Sequence, residues 1–475
     1  MILQGKKIKL HLTLIVLFLH FFSIIGYSGI ITIYGSAADY KNDSIEIYYF
    51  PDLVAGISQK IGTLKVDAYG DFRFNFKSES ILKIYADLGK FIGYLYVEPN
   101  NDYEIALPPK SPKTTDNILN PYFKPQEIHF GVLNRGKTDL NYLIQKFDLL
   151  YTPYFNNYAM YLKANRPINT LEQFIRYTDS VFLNVQHSYF QDYKAYKLSV
   201  LDFMKFSGKK KRDFYSRFPA NRLQYNNPGF TDLFSLVFNR FLYYCSILPE
   251  GEKIKYDINI GKSYSELRST IINMDFFYND TLVELAILKG VYDEFYENEF
   301  SQENLLVVLD SLKENTLIEK HRKIAGNICW KVNRLRIGNH APDIQLYDSN
   351  IVLRTLDDFQ GKYIYLNFSS FRSYACQIQF PLLRELSEKY KHELVIITVS
   401  VDESVEQMIS ILRAYSYNWV FLHYGHQQKL LEEYDVRGYP TYFLLDRDGI
   451  ILSSPALSPV EGFDSFFENV LREKD

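Results

Sequence analysis

Between Ile30 and Leu107 apolar and polar residues alternate in short runs, at Ile30–Tyr34, Ile45–Phe50, Ile61–Val66, Phe72–Lys77, Ile81–Ala86, Gly93–Val97 and Tyr103–Leu107. A period of two sends successive side chains to opposite faces, so each run predicts a strand with one buried face. Turn residues such as Tyr69-Gly70-Asp71 and Glu98-Pro99-Asn100-Asn101-Asp102 separate the runs. Strands at this spacing predict a β-sandwich over residues 29–108, with no cluster of His, Asp or Cys on it that would do chemistry.

Closely spaced prolines between Pro108 and Pro125 deny that stretch both helix and central strand, and residues 109–137 are read as a linker. The period then lengthens. Leu140, Leu143, Ile144, Phe147 and Leu150 follow Thr138-Asp139, and Leu282, Leu285, Ala286 and Leu288 follow Asn279-Asp280. Apolar residues at helical spacing behind capping residues predict an all-α domain over 138–337. From 338 to 475 strands and helices alternate: strand Tyr363–Phe368, helix Cys376–Tyr390, strand Leu394–Val401, helices Val405–Ala414 and Gln428–Tyr434, and a hairpin of Thr441–Asp446 with Ile450–Ser453. That order predicts an α/β domain around a mixed sheet, so the fold class is multidomain α+β.

The charge balance, 53 basic against 56 acidic side chains, generates no long-range field for nucleic acid or an anionic membrane. A protein or peptide partner is expected instead. Lys6, Lys7 and Lys9, the apolar run Leu10–Ile25 and the small residues of Gly26-Tyr27-Ser28 read as a secretory signal over 1–28, with no membrane span after its removal. The run Lys209-Lys210-Lys211-Arg212 reads as a solvated loop. Three cysteines are too few for a disulfide scaffold. Cys245 and Cys329 lie in apolar helical runs and are expected to be buried and inert.

Cys376 stands in a different context. Ala341-Pro342-Asp343, Gly361-Lys362-Tyr363 leading into Asn367-Phe368, Pro381, and Val436-Arg437-Gly438-Tyr439-Pro440-Thr441 followed by Phe443-Leu444-Leu445-Asp446 and Gly449 resemble, in register, the TlpA-like branch of the thioredoxin superfamily. The resemblance implies a thioredoxin fold for 338–475 and, with the domain order, an envelope protein of Bacteroidota type in the periplasm. Its catalytic segment, Trp-Cys-x-x-Cys then Arg-x-Glu-x-Pro, aligns with Arg372-Ser373-Tyr374-Ala375-Cys376 and Gln377-Ile378-Gln379-Phe380-Pro381. Arg372 replaces the tryptophan, Ser373 the attacking cysteine and Gln379 the glutamate.

Disulfide exchange needs a thiolate to attack and a second sulfur to resolve the mixed disulfide. Serine supplies neither, so dithiol-disulfide oxidoreductase activity is not expected. Ser373 suits an N-cap whose oxygen accepts from a first-turn amide, which places Cys376 in the first turn with Arg372 near enough to lower its pKa. Peroxiredoxins share the fold and set a reactive cysteine three residues after Thr or Ser, as in Ser373-x-x-Cys376, but their preceding proline is Ser369 here. A single-cysteine thiol enzyme, peroxidase-like or forming mixed disulfides through Cys376 with a thiol protein, is therefore the alternative reading. The resemblance also implies a cis Tyr439-Pro440 bond that leaves the Tyr439 backbone free to pair with an extended peptide. Arg372, Tyr439 and Pro440 are the expected peptide-binding residues. His423-x-x-His426 lacks further ligands and Asp402 reads as a turn residue, so no metal and no cofactor are expected.

Overall fold

The computed structural model describes residues 29–120, 122–163, 171–204, 214–215, 218, 223–276 and 279–472. The expected signal at 1–28 and the basic run at 209–212 lie outside the described residues. By internal contact the chain forms two compact units. One runs to Lys110 and resumes over Gln126–Val237; the other joins Ser111–Pro125 to Phe238 onward.

In the first unit the alternating runs become β1 (Gly29–Ser36), β2 (Ser44–Tyr49), β3 (Gln59–Lys65), β4 (Asp71–Ser78), β5 (Leu82–Asp87), β6 (Phe91–Val97) and β7 (Asp102–Ala106). The stretch expected to be a linker adds a one-turn helix, α1 (Thr115–Leu119), and two strands, β8 (Gln126–His129) and β9 (Gly131–Val132). The strands begin only past the last proline of that stretch, where amide donors are available again. The sheets run β4-β1-β7-β9 and β3-β2-β5-β6-β8. Ile31 and Ile33 from one sheet and Ile47, Ile84 and Leu95 from the other close a single core, the sandwich that the alternation predicts.

The all-α region follows. Helices α2 (Leu140–Lys163), α3 (Leu171–Val181), α4 (Ser188–Met204) and α5 (Pro228–Val237) complete the first unit. Asp139 Oδ1 accepts from the Asn141 amide at 2.9 Å at the start of α2. In the second unit come α6 (Phe241–Ser246), α7 (Glu252–Asn259), α8 (Tyr264–Asn273), α9 (Asp280–Glu294), α10 (Gln302–Asn315) and α11 (Glu319–Asn333). Asn279 caps α9 as its sequence suggests, accepting from the Leu282 amide at 3.0 Å. Of the two cysteines expected to be inert, Cys245 is buried whereas Cys329 is only half-buried. Ile324, Ala325, Ile328 and Val332 form the buried stripe of α11, and Cys329 stands at its margin.

A buried polar knot holds α8, α9 and α11 together. The Glu284 carboxylate lies 2.6 Å from His321 Nδ1 and accepts from Tyr264 Oη at 2.9 Å and from the Thr316 hydroxyl. Burial pushes its pKa up, but the hydrogen bonds from His321, Thr316 and Tyr264 outweigh burial and hold it below the ordinary carboxylate value. A folded-state pKa below the unfolded one gives stability that is present above the unfolded value of about 4.3 and lost as pH falls through the folded one. Glu284→Gln is expected to lower the unfolding free energy at pH 7 by about 1–3 kcal/mol, the penalty for poorly satisfied buried partners. Thermal melts should show the gap between the variant and the native chain narrowing as pH drops below about 4; a gap constant with pH would mean that the carboxylate charge is not what the knot requires.

The C-terminal domain is a mixed sheet of β10 (Leu346–Asp348), β11 (Leu353–Arg354), β12 (Tyr363–Ser369), β13 (Leu394–Ser400), β14 (Val420–His423), β15 (Thr441–Leu445) and β16 (Ile451–Ser453), in the order β11-β10-β14-β13-β12-β15-β16. Helices α12 (Tyr374–Gln377), α13 (Phe380–Lys389), α14 (Val405–Tyr415), α15 (Gln428–Glu433) and α16 (Phe463–Arg472) accompany it. The single helix expected over 376–390 is thus two. Pro381 lies in the first turn of α13, and its ring would clash with the Gln377 carbonyl in a continuous helix. Separate cores fill the two sides of the sheet: Ile364, Leu366, Ile397 and Val399 lie in one, and Tyr363, Tyr365, Leu394 and Ile396 in the other. This alternation follows from strands buried on both faces.

Candidate functional site

The site forms where the central strand β12 ends. β12 pairs in parallel with β13, Ser369 opposite Ser400, and antiparallel with β15, Phe368 opposite Thr441. Three chain segments therefore meet at one end of the sheet: the loop and helix after β12 with Ser373 and Cys376, the turn after β13 with Asp402, and the Gly438-Tyr439-Pro440 loop before β15. Neighbouring strands, rather than proximity in sequence, bring them together.

Ser373 is the N-cap residue of α12, in extended conformation, and its carbonyl accepts from the Cys376 and Gln377 amides at 3.0 and 2.9 Å. Its hydroxyl does not cap the helix. Cys376 is 1% exposed. Burial pushes the thiol up from its ordinary pKa; the hydrogen bonds with Ser373, Ser370 and Ser369 only partly offset this, and the charge of Asp402 adds to the rise. Near neutral pH the group is a thiol, and a poor nucleophile.

Asp402 stands in the turn after β13, as the sequence reads, but it does more than turn the chain. It is fully buried, at 0% exposure, beneath the loop that leads to Ser373. Its Oδ1 accepts from the Ser370 hydroxyl at 2.6 Å, and its Oδ2 from the Phe371 amide at 3.1 Å and the Ser400 hydroxyl at 2.8 Å. Its carbonyl lies 2.9 Å from His423 Nε2, while His423 Nδ1 accepts from the Gly425 amide at 3.1 Å. An accepting Nδ1 leaves the proton on Nε2, so His423 is neutral, and burial holds its pKa below the ordinary value. His423 is the last residue of β14. Among the described residues no group of three or more His, Cys, Asp or Glu comes together as metal ligands.

Residues 361–451 match the family model described as thioredoxin-like. Over 124 residues, 26% of this chain, the sequence is 31% identical to a thiol-disulfide oxidoreductase ResA of Bacillus thuringiensis, covering 70% of that protein. The chain belongs to the thioredoxin-like family. It is also similar to the thiol-disulfide oxidoreductase ResA of Bacillus subtilis, 26% identical over 136 residues, 28% of this chain and 75% of that one. The crystal structure of the thioredoxin domain of a thiol-disulfide oxidoreductase from Bacteroides vulgatus is 24% identical, covers 29% of this chain and 99% of its own, and superposes with a TM-score of 0.27.

Within the thioredoxin-like domain Cys376 is the one cysteine of residues 338–475, so no cysteine pair exists there. Arg372 Nη1 donates to Thr115 Oγ1 of α1 at 2.8 Å. Gln379 is buried, accepting from Tyr442 Oη at 3.1 Å and donating to the Ala375 carbonyl at 3.3 Å. The Tyr439–Pro440 bond is cis. Among the described residues neither the amide nor the carbonyl of Tyr439 takes part in a hydrogen bond. Tyr374 and Ile378, in the segment after Ser373, are 76% and 45% exposed. No described helix is long and apolar enough to cross a membrane.

Proposed function

We propose that this chain is an exported thioredoxin-fold protein of the cell envelope that has given up dithiol exchange and works as a protein- or peptide-binding module. One observation carries the reading: the site buries its single thiol in protonated form yet keeps the backbone of Tyr439 unpaired beside it. A main-chain amide and carbonyl left open at a sheet end can pair with an extended segment, and this mode of recognition needs no sulfur. Tyr374 and Ile378, in the segment after Ser373, are exposed and offer apolar surface to a partner. Export rests on the N-terminal sequence alone, basic residues and then the apolar run from Leu10 to Ile25. The lone-cysteine peroxidase or mixed-disulfide reading asks for an exposed, electropositive thiol, and the burial of Cys376 speaks against it.

A peptide library screened against the full chain tests the reading. Retained peptides should lose about tenfold or more in affinity on Tyr439→Pro, which removes the main-chain donor, an effect of the size of one lost contact group. In the same samples the intact mass should be unchanged after stoichiometric peroxide at neutral pH. Retention indifferent to position 439 would remove the basis of the proposal, and rapid sulfenate formation at Cys376 would favour the thiol enzyme.

A further inference from the structure

The segment Ser111–Pro125 leaves the sandwich strand β7 and returns to it at β8, yet by contact it belongs to the second unit. Inside it α1 is shaped at both ends. Thr114 Oγ1 accepts from the Asn117 amide at 3.3 Å, and Asn117 Oδ1 accepts from the Thr114 amide at 3.1 Å. Beyond the helix Asn120 Oδ1 accepts from the Tyr122 amide at 2.9 Å. A single turn of helix is not stable by itself in water, so its docking must hold it. Two contacts do so. Thr115, 6% exposed, takes the hydrogen bond from Arg372, the residue just before Ser373. Ile118 and Leu119 pack on the core of the thioredoxin-like domain against which Val436 and Tyr439 also pack.

We propose that Ser111–Pro125 is an intramolecular ligand lying on the partner-binding face of the thioredoxin-like domain, and that the external partner is a peptide segment of the same chemistry that displaces it. The proposal rests on the binding function argued above and gives it a partner class: a hydroxyl side chain accepting from Arg372, followed three and four residues later by two aliphatic side chains, as in Thr115-x-x-Ile118-Leu119. A guanidinium presents several donors in a fixed fork, where the tryptophan that the resemblance implies at this position offers a single indole N–H. The exchange of ring for guanidinium at 372 therefore matches the segment that meets it. No bond is made or broken in the exchange of one segment for the other.

The arithmetic of a tethered competitor gives the expected result. A covalently attached segment acts at an effective concentration in the millimolar range, and an outside peptide is weakened by the fraction of time the face is free. The probe is a fluorescent synthetic peptide of the sequence of residues 111–125, titrated against the full chain by anisotropy. Releasing the built-in copy with the double substitution Ile118→Asp and Leu119→Asp should tighten probe binding by at least about tenfold, the reciprocal of a face free a tenth of the time or less. Adding Arg372→Ala to the released chain should reverse that gain.

Hydrogen exchange in the native chain provides a measurement that does not depend on the variants folding. Excess probe should speed exchange at the amides of Asn117, Ile118 and Asn120, whose hydrogen bonds lie within the displaced segment. Equal probe affinity for native and released chains, or exchange unmoved by saturating library peptides, would overturn the proposal. Failure of the underlying reading looks different: no library peptide depends on Tyr439 in either chain. If such peptides bind both chains equally well, the reading stands and the built-in ligand is excluded.

Discussion

Asp402→Ala is expected to lower the unfolding free energy by about 3–5 kcal/mol, because it strands buried donors that each carry a penalty of about 1–3 kcal/mol when unpaired. The donors are the Ser370 and Ser400 hydroxyls and the Phe371 amide, all turned toward one carboxylate with no access to solvent. Two of them belong to the loop between β12 and Ser373, so the loss is local as well as global. The loop that shields Cys376 should open more often. Removal of the carboxylate also removes a charge that raises the thiol pKa, and both effects act in the same direction. Alkylation of Cys376 at pH 7.5, followed by mass spectrometry, should speed by about tenfold or more, as expected for a buried thiol released by local opening. Asp402→Asn, which keeps the size but turns one oxygen into a donor, should fall between the two. A stable Asp402→Ala chain with an unchanged alkylation rate would show that the loop is held by something else.

Asp402 also marks the limit of what the sequence discloses. Local patterns were legible: strands β1 to β7 follow the period of two, and Asn279 caps α9 because an Asn before an apolar periodic run satisfies a first-turn amide. The motifs from Ala341 to Gly449 placed the thioredoxin-like domain because glycines and prolines there fix backbone geometry that changes little with the rest of the sequence. What the sequence hid depends on contacts between residues far apart. Asp402 follows a buried strand and precedes a helix, the usual setting of an exposed turn residue. Only the pairing of β12 with β13 places it under the Ser370 loop. The Ser373 hydroxyl does not cap its own helix and instead acts on the Cys376 thiol, lowering its pKa, which no local pattern discloses. Arg372 could not be assigned to Thr115, 257 residues away, because nothing local connects a proline-bordered segment to the far domain.

The same geometry predicts what a restored cysteine would do. Ser373→Cys is expected to yield a chain that, after mild oxidation, is lighter by two hydrogen atoms and resists alkylation at both positions 373 and 376. Ser373 acts on the Cys376 thiol from three residues away at the start of the same helix, so a thiol in its place is expected to start within reach of a bond. It would stand half-buried at the start of α12, where first-turn amides favour a thiolate, while Cys376 stays shielded as the resolving partner. Insulin reduction should rise from background to a measurable rate. It should remain low, because the buried neutral Gln379 cannot take the proton that the resolving Cys376 thiol must lose to attack the mixed disulfide. Gln379→Glu added to Ser373→Cys places a buried carboxyl, with its pKa raised toward neutrality, on the residue whose amide already donates to the Cys376 carbonyl at 3.0 Å. The double variant should then exceed the single one by about tenfold or more, at the lower end of what positioned proton transfer supplies. If no bridge forms in Ser373→Cys, the two side chains do not meet as described. If the bridge forms but both variants remain inactive, binding geometry at Arg372 and the docked Ser111–Pro125 segment, and not the missing sulfur, is what closes this site to disulfide substrates.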